Sequence, residues 1–305
     1  MALERLQVIG TKLCDGSGKP VQLRGISTLG FRYPEYITKE AFETFRDEWG
    51  INMIRLAMYT DEPGGYCTDG DREELKRIMI KGVEIATELS LYVIVDWHIL
   101  LEKSPMVYKD EALRFFDEMS ALYADHTNVL YEICNEPQES PFASVIKPYA
   151  LEVIPVIRKH DKDAVIIVGT DNWSQDVDDV IGNEIDDPNV MYALHFYAAS
   201  HQEKLMKKAV TALDEGIPIF ISECSICDAS GDGILDRDWG SRWLDWADEN
   251  DISYIVWNLS NKDESSSILR PDSTSLSNWR QEEYSETGLW FKERCGSSSQ
   301  VQRIR

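Results

Sequence analysis

The segment Val129-Leu130-Tyr131-Glu132-Ile133-Cys134-Asn135-Glu136-Pro137 is a mostly apolar run that ends in two polar residues and a proline. A short run of this kind, rich in bulky apolar residues, reads as a strand covered on both faces, which is the pattern of a parallel sheet. The pattern recurs along the chain. Strands are predicted at Val21–Ser27, Asn52–Met58, Tyr92–His98, Val129–Glu136, Ala164–Thr170, Val190–Ala198, Pro218–Cys224 and Ser253–Ser260. Amphipathic stretches between them predict helices over Thr38–Trp49, Asp71–Leu89, Asp110–Asp125, Phe142–His160, Ser174–Ile181, Gln202–Glu215 and Asp236–Glu249, with a last one around Gly288–Arg294. Eight β-then-α units favour a closed (β/α)8 TIM barrel over an open doubly wound sheet. No G-x-G-x-x-G follows the first strand, so a dinucleotide site has no support. A short N-terminal β-hairpin is expected, with Val8-Ile9, a turn at Asp15-Gly16-Ser17-Gly18, and a return at Val21.

The 305 residues suit one such barrel, which typically runs to roughly 250 residues and more with insertions. No repeat or low-complexity block interrupts them, so a single domain is expected over residues 1–296. Residues 297–305, beginning Ser297-Ser298-Ser299-Gln300, read as a linker or tag remnant. Met1–Gly10 carries Glu4 and Arg5 and has no apolar core of a signal peptide, which favours a signal that has been trimmed away. No stretch approaches the ~20 apolar residues of a membrane span. A net charge of −23 repels phosphate backbones and so argues against nucleic acid and anionic membranes as partners, while neutral sugars are not discouraged.

Six cysteines in so long a chain are no disulfide scaffold. Cys224 and Cys227 form a C-x-x-C without a second ligand pair, so they read as packed thiols rather than a zinc site. Asp228-Ala229-Ser230-Gly231-Asp232-Gly233 resembles half a calcium loop, but Trp239 stands where its bidentate glutamate belongs. No metal and no cofactor are expected.

The predicted strands begin apolar, and most end polar: Arg55 and Tyr59, then Asp96-Trp97-His98, Asn135-Glu136, His195-Phe196-Tyr197, Ser222-Glu223 and Trp257-Asn258. In a barrel these ends converge on one face, where the active site sits. His126, His160 and His201 fall on helices or loops and read as structural or solvated. Two carboxylates converging across a barrel mouth are what glycoside hydrolysis needs: one protonates the leaving oxygen, the other attacks the anomeric carbon or activates water. The fork of Arg55 and the hydroxyl of Tyr197 would hold Glu223 charged, while the less well paired Glu136 keeps its proton. The Asn135 amide suits a sugar 2-hydroxyl, and Trp257 offers a flat wall to a pyranose ring.

On these residues the chain resembles glycoside hydrolase family 5, in its bacterial cellulase (endo-β-1,4-glucanase) branch, from about Leu23 to Leu289. The resemblance is carried by Gln22–Thr28, Asn52–Leu56, Val95–Leu100, Tyr131–Pro137, Gly169–Val177, Leu194–Ala198, Ile219–Glu223 and Trp257–Ser266. It implies that Arg55, His98, Asn135, Glu136, His195, Tyr197, Glu223 and Trp257 fill the family's eight active-site positions. Glu136 would be the acid/base and Glu223 the nucleophile of a retaining, endo-acting glucanase that works by double displacement. Trp173 matches a stacking residue on the leaving-group side, and Lys262 and Glu264 match polar contacts on the other; Tyr33 and Tyr59 complete the expected substrate-binding set.

The chain also departs from the branch. Leu29 replaces a histidine of the cleavage subsite, Tyr33 replaces a tryptophan platform, Cys224-Ser225 replaces Trp-Gly, and Leu100–Ser104 replaces a polar, glycine-containing loop. These changes leave mixed-linkage glucan, xyloglucan, mannan or xylan as alternative backbones. A carbohydrate-binding pseudoenzyme predicts loss of a catalytic carboxylate, and both are present. The partner implied is a β-linked polysaccharide or oligosaccharide, acted on by a monomer once joined to a binding module or dockerin, secreted or held at the cell surface.

Overall fold

The structure, a computed structural model, describes residues 3–297. The linker expected from residue 297 onward lies outside the described residues apart from Ser297, which ends the last helix, Glu286–Ser297. Gln7–Ile9 (β1) and Lys12–Cys14 (β2) form an antiparallel hairpin. Its turn is at Gly10-Thr11, earlier than predicted, because Gly10 supplies the positive φ of +59°. The predicted turn at Asp15–Gly18 is a second one. There Asp15 Oδ1 accepts from the backbone of Ser17 and Lys19, and Val21 N returns to Leu13 O at 2.8 Å.

Eight parallel strands then close on themselves: β3 (Arg24–Thr28), β4 (Met53–Tyr59), β5 (Tyr92–His98), β6 (Val129–Glu132), β7 (Ile166–Val168), β8 (Val190–Tyr197), β9 (Ile219–Ser225) and β10 (Tyr254–Leu259), with β10 paired to β3. β6 and β7 are shorter than predicted. Beyond Glu132 the chain still bonds β5, through Asn135 N to Trp97 O and Glu136 N to Ile99 O, but it bends away from the ladder. Gly169, just past β7, lies so near this bend that a Cβ would sit 1.9 Å from Cys134 O.

Alternate residues of each strand divide between two cores. Ile54, Val93, Val95, Tyr131 and Ile219 pack outward with helix residues such as Phe42, Val83, Phe115 and Val153. Met53, Tyr92, Ile94, Leu130, Ile167, Met191, Ala193, Phe220 and Ile255 fill the barrel's lower interior. Two residues further along several of these strands the same inward face turns polar: Arg55 follows Met53, Asp96 follows Ile94, Glu132 follows Leu130, and His195 follows Ala193. The apolar lower layers are the floor on which the site stands.

Helices cover the outside where amphipathic stretches predicted them. Asp71 caps Arg72–Glu88 and Asp236 caps Arg237–Glu249 through backbone N–H groups. The predicted helix Phe142–His160 begins as a wider turn over Phe142–Ile146 and continues as Lys147–Arg158. The predicted helix Ser174–Ile181 is absent. Asn172, Trp173 and Ser174 instead have φ of +56°, +59° and +55°, a left-handed turn followed by a 3-10 turn at Val177–Val180. Short polar side chains outbid the helix here: Asp171 Oδ1 accepts from Asn172 N and Ser140 N, and Ser174 Oγ donates to Asn135 O at 2.6 Å.

Candidate active site

Arg55, on β4, is fully buried and reaches three strands at once. Its Nε donates to Glu132 Oε2 on β6 at 2.7 Å, its Nη1 to Glu223 Oε2 on β9 at 3.1 Å, and its Nη2 to Asn135 Oδ1 at 2.6 Å, with Asp96 Oδ2 on β5 also 3.1 Å away. Only the planar, five-donor guanidinium can serve so many directions. Burial alone would raise the carboxyl of Glu132, but Arg55 and the His195 imidazole outweigh it and hold that group low. Burial raises Asp96 well above the ordinary carboxylate range, against the pull of Arg55.

A carboxylate oxygen of Glu136, one of Glu223 and a ring nitrogen of His195 all lie within 4.8 Å of one another. The two glutamates live in different surroundings. Tyr197 OH donates to Glu223 Oε1 at 2.6 Å and Arg55 serves Oε2, so both oxygens accept bonds that suit an ionised carboxylate. Glu136 has one such partner, His195 Nδ1, at 2.9 Å from Oε1. Burial and the nearby charge of Glu223 push Glu136 up to about 7 against the pull of His195. His195 itself is driven down by burial but lifted further by Glu132 and Glu136, to about 9. Its Nε2 bonds Ser222 Oγ at 2.9 Å. Both ring nitrogens thus have hydrogen-bond partners, Glu136 on one side and Ser222 on the other. His98 is the opposite case. Burial, and then Arg55, lower it to about 3, so it is a neutral ring that donates from Nδ1 to Asp96 and accepts at Nε2 from Asn135.

This arrangement invites comparison with known proteins. Residues 14–263 match the family model described as cellulase (glycosyl hydrolase family 5). The chain belongs to glycosyl hydrolase family 5. It is 46% identical over 291 residues to Endoglucanase A of Butyrivibrio fibrisolvens, covering 94% of this chain and 67% of that protein. It is 38% identical to Endoglucanase E-5 of Thermobifida fusca, of which it spans 64%. The catalytic domain of Thermobifida fusca endoglucanase Cel5A, solved as a variant with cellotetraose, superposes with a TM-score of 0.90 at 38% identity, over 95% of this chain and 97% of that one.

The strand ends open into a cleft of about 590 Å³, with Glu136 and Glu223 in its walls. Trp257 lies parallel to His98, with ring centroids 5.3 Å apart, and Tyr59 meets the same imidazole edge-on at 4.7 Å. Trp173 is 43% exposed at the cleft, and Lys262 and Glu264 pair with each other along its wall. Leu29 lines the cleft in a small cluster with Ala57, Tyr197, Cys227 and Trp257. Tyr33 is not among the residues that line the cleft; it packs, half-buried, against the same cluster and stacks on Tyr36. Cys224 and Cys227 are buried free thiols.

Three features escaped the sequence reading. His201 lines the cleft instead of being merely structural or solvated, and its Nδ1 accepts from Tyr197 N at 3.0 Å. Glu132 was read only as part of a strand, and Ser222 only as a strand end. β8 and β9 pair Ala193 with Phe220 and His195 with Glu223, so β9 carries one extra residue between those pairs. That bulge lets Ser222 and Glu223, neighbours in sequence, both bond side chains of the barrel interior. The period-two spacing of Leu130 and Glu132 signals the inward glutamate; nothing in the sequence signals the bulge.

Proposed function

We propose that this domain is a retaining endo-β-1,4-glucanase that cleaves β-glucan chains through a covalent glycosyl-enzyme intermediate. The observation that carries this reading is the approach of the Glu136 and Glu223 oxygens to within 4.8 Å, with Glu136 raised to about 7 by burial and by Glu223, and with both Glu223 oxygens accepting hydrogen bonds. Carboxyl groups about 5–5.5 Å apart leave no room for a water between them, which is the spacing of retention and not of inversion. In the first step a Glu223 oxygen bonds the anomeric carbon. The glycosidic bond breaks as Glu136 gives its proton to the departing oxygen. In the second step Glu136, now a carboxylate, takes a proton from water, whose oxygen replaces Glu223 at the anomeric carbon. Glu136 returns to its protonated form and Glu223 to its ionised form.

The cellotetraose held by the Thermobifida fusca domain supports a chain of β-1,4-linked glucose as the ligand, and the wall of Trp257, Trp173, Lys262 and Glu264 suits sugar faces and hydroxyls. All the groups named come from one chain, so a monomer suffices. A polymer too large to cross a membrane places its hydrolysis outside the cell, and we infer secretion or cell-surface display on that ground. The test is release of reducing ends from carboxymethylcellulose, barley β-glucan and galactomannan in parallel. Cleavage of the first two is expected, with the β-anomer as initial product; activity on galactomannan alone rejects the glucanase reading.

A further inference from the structure

The two glutamates are joined from behind as well as across the cleft. Glu136 Oε1 is 2.9 Å from His195 Nδ1, and His195 Nε2 is 2.9 Å from Ser222 Oγ. Ser222 Oγ donates to Glu132 Oε1 at 2.6 Å, and Glu132 Oε2 accepts from Arg55 Nε at 2.7 Å. Arg55 Nη1 reaches Glu223 Oε2 at 3.1 Å. Glu132, Ser222 and Arg55 are fully buried and His195 nearly so. Without Ser222 the chain is open, since His195 Nε2 and Glu132 Oε1 are 3.8 Å apart.

The proton directions along this chain are fixed by chemistry. Glu132, bound to Arg55, is an acceptor only, so the Ser222 hydroxyl must point at it. Ser222 Oγ is then left to accept, and His195 Nε2 must carry a hydrogen. A ring protonated at Nε2 alone would present a bare Nδ1 to Glu136 and draw the glutamate's proton backwards onto Oε1. The buried negative charge of Glu132, relayed through Ser222, favours the second proton at Nδ1. His195 then donates to Oε1, and the catalytic proton sits on Oε2. We propose that Ser222 and Glu132 are positioning residues that hold His195 as a two-sided donor and thereby aim the proton of Glu136 at the glycosidic oxygen. This rests on the acid/base role given to Glu136 above. The charged or titratable groups that face the Glu136–His195 pair are Arg55 from β4, Asp96 and His98 from β5, Glu132 from β6, Tyr197 and His201 from the end of β8, and Glu223 from β9.

The experiment compares two substrates in the intact protein. Barley β-glucan has an alkoxide leaving group that needs the proton; 2,4-dinitrophenyl β-cellobioside has one that departs without it. General acid assistance contributes about 10²–10⁴-fold, and a misdirected proton forfeits part of that. Ser222→Ala is expected to lose about 10- to 100-fold in kcat/KM on the glucan, a fraction of the general-acid contribution, and under about threefold on the aryl glycoside. It should also displace the alkaline limb of the glucan pH profile. Ser222→Thr, which restores the hydroxyl, should recover most of the glucan activity. Equal losses on both substrates, or none on either, overturn the proposal. Glu136→Gln separates the two levels. If it shows the substrate split and Ser222→Ala does not, the relay alone is wrong; if neither shows it, the acid/base assignment falls as well.

Discussion

Replacing Arg55 by Met should destabilise the protein strongly at neutral pH and less so in mild acid. Met fills much of the volume but removes the guanidinium that Glu132, Glu223 and Asp96 share in a buried setting. Breaking a buried ion pair by removing one partner costs about 3–5 kcal/mol, because the stranded charge stays desolvated. For a domain of this size each kcal/mol corresponds to roughly 2 °C, so the melting temperature should drop by about 6–10 °C at pH 7.5. The pH dependence fixes the cause. In the parent protein Glu132 is held below its ordinary value, so its contribution is present above about pH 4.5 and is lost only as the pH falls towards about 2. In the variant the same buried carboxyl keeps Ser222 and the His195 imidazole but loses the guanidinium, the largest influence holding it low, and so is raised relative to the parent. Its protonated form is then compatible with folding at low pH, and stability is lost as the pH rises through the raised value. The gap between variant and parent should therefore be smaller at pH 5 than at pH 7.5. Thermal melting followed by circular dichroism at both pH values is the check. A gap of equal size at both, or no destabilisation at pH 7.5, refutes the picture of one guanidinium neutralising the buried cluster.

Glu223→Gln keeps the shape and removes the nucleophile; turnover of barley β-glucan should fall by more than about 10³-fold with the circular dichroism spectrum unchanged, and near-parental activity would refute the assignment. Glu136 must hold its proton for the first step and lies near 7, so kcat/KM on a neutral glucan should decline as the pH rises through about 7; a profile flat to pH 9 contradicts it. Leu29→His with Tyr33→Trp should raise kcat/KM on short cello-oligosaccharides about fivefold, equivalent to roughly 1 kcal/mol of added glycone contact. Unchanged kinetics would show those two departures to be neutral.

The barrel was legible because its signals are local and repeated: each strand is a short apolar run, and each helix an amphipathic one. Where local side chains compete with the backbone, that reading failed. A helix is predicted from Ser174 onward, yet the polar groups of Asp171 and Ser174 find nearer partners in Asn135 O, Ser140 N and Asn172 N, and Asn172, Trp173 and Ser174 turn left-handed. The strand ends around Glu136 and Glu223 were readable because convergence at one face follows from topology alone. What topology cannot give is the insertion of one residue into β9, and with it the placing of Ser222 behind the cleft while Glu223 stays within it. Nor can it show that Tyr33, four residues beyond the cleft residue Leu29, stacks on Tyr36.

The difference between the two glutamates follows from counting donors. Both are buried, so burial alone does not distinguish them. Glu223 receives two bonds, from a guanidinium and a phenol, whose donors are fixed by their own packing. Glu136 receives one, from an imidazole whose second face is tied to Ser222. A carboxyl with a donor on each oxygen is well suited to ionisation; a carboxyl with one oxygen lacking a donor and a like charge within 4.8 Å is best protonated on that oxygen. The barrel thus makes a nucleophile and an acid from one residue type by supplying donors from β4 and β8 to one glutamate while leaving the other to a single histidine. The proton that Glu136 keeps then lies on the side open to the cleft.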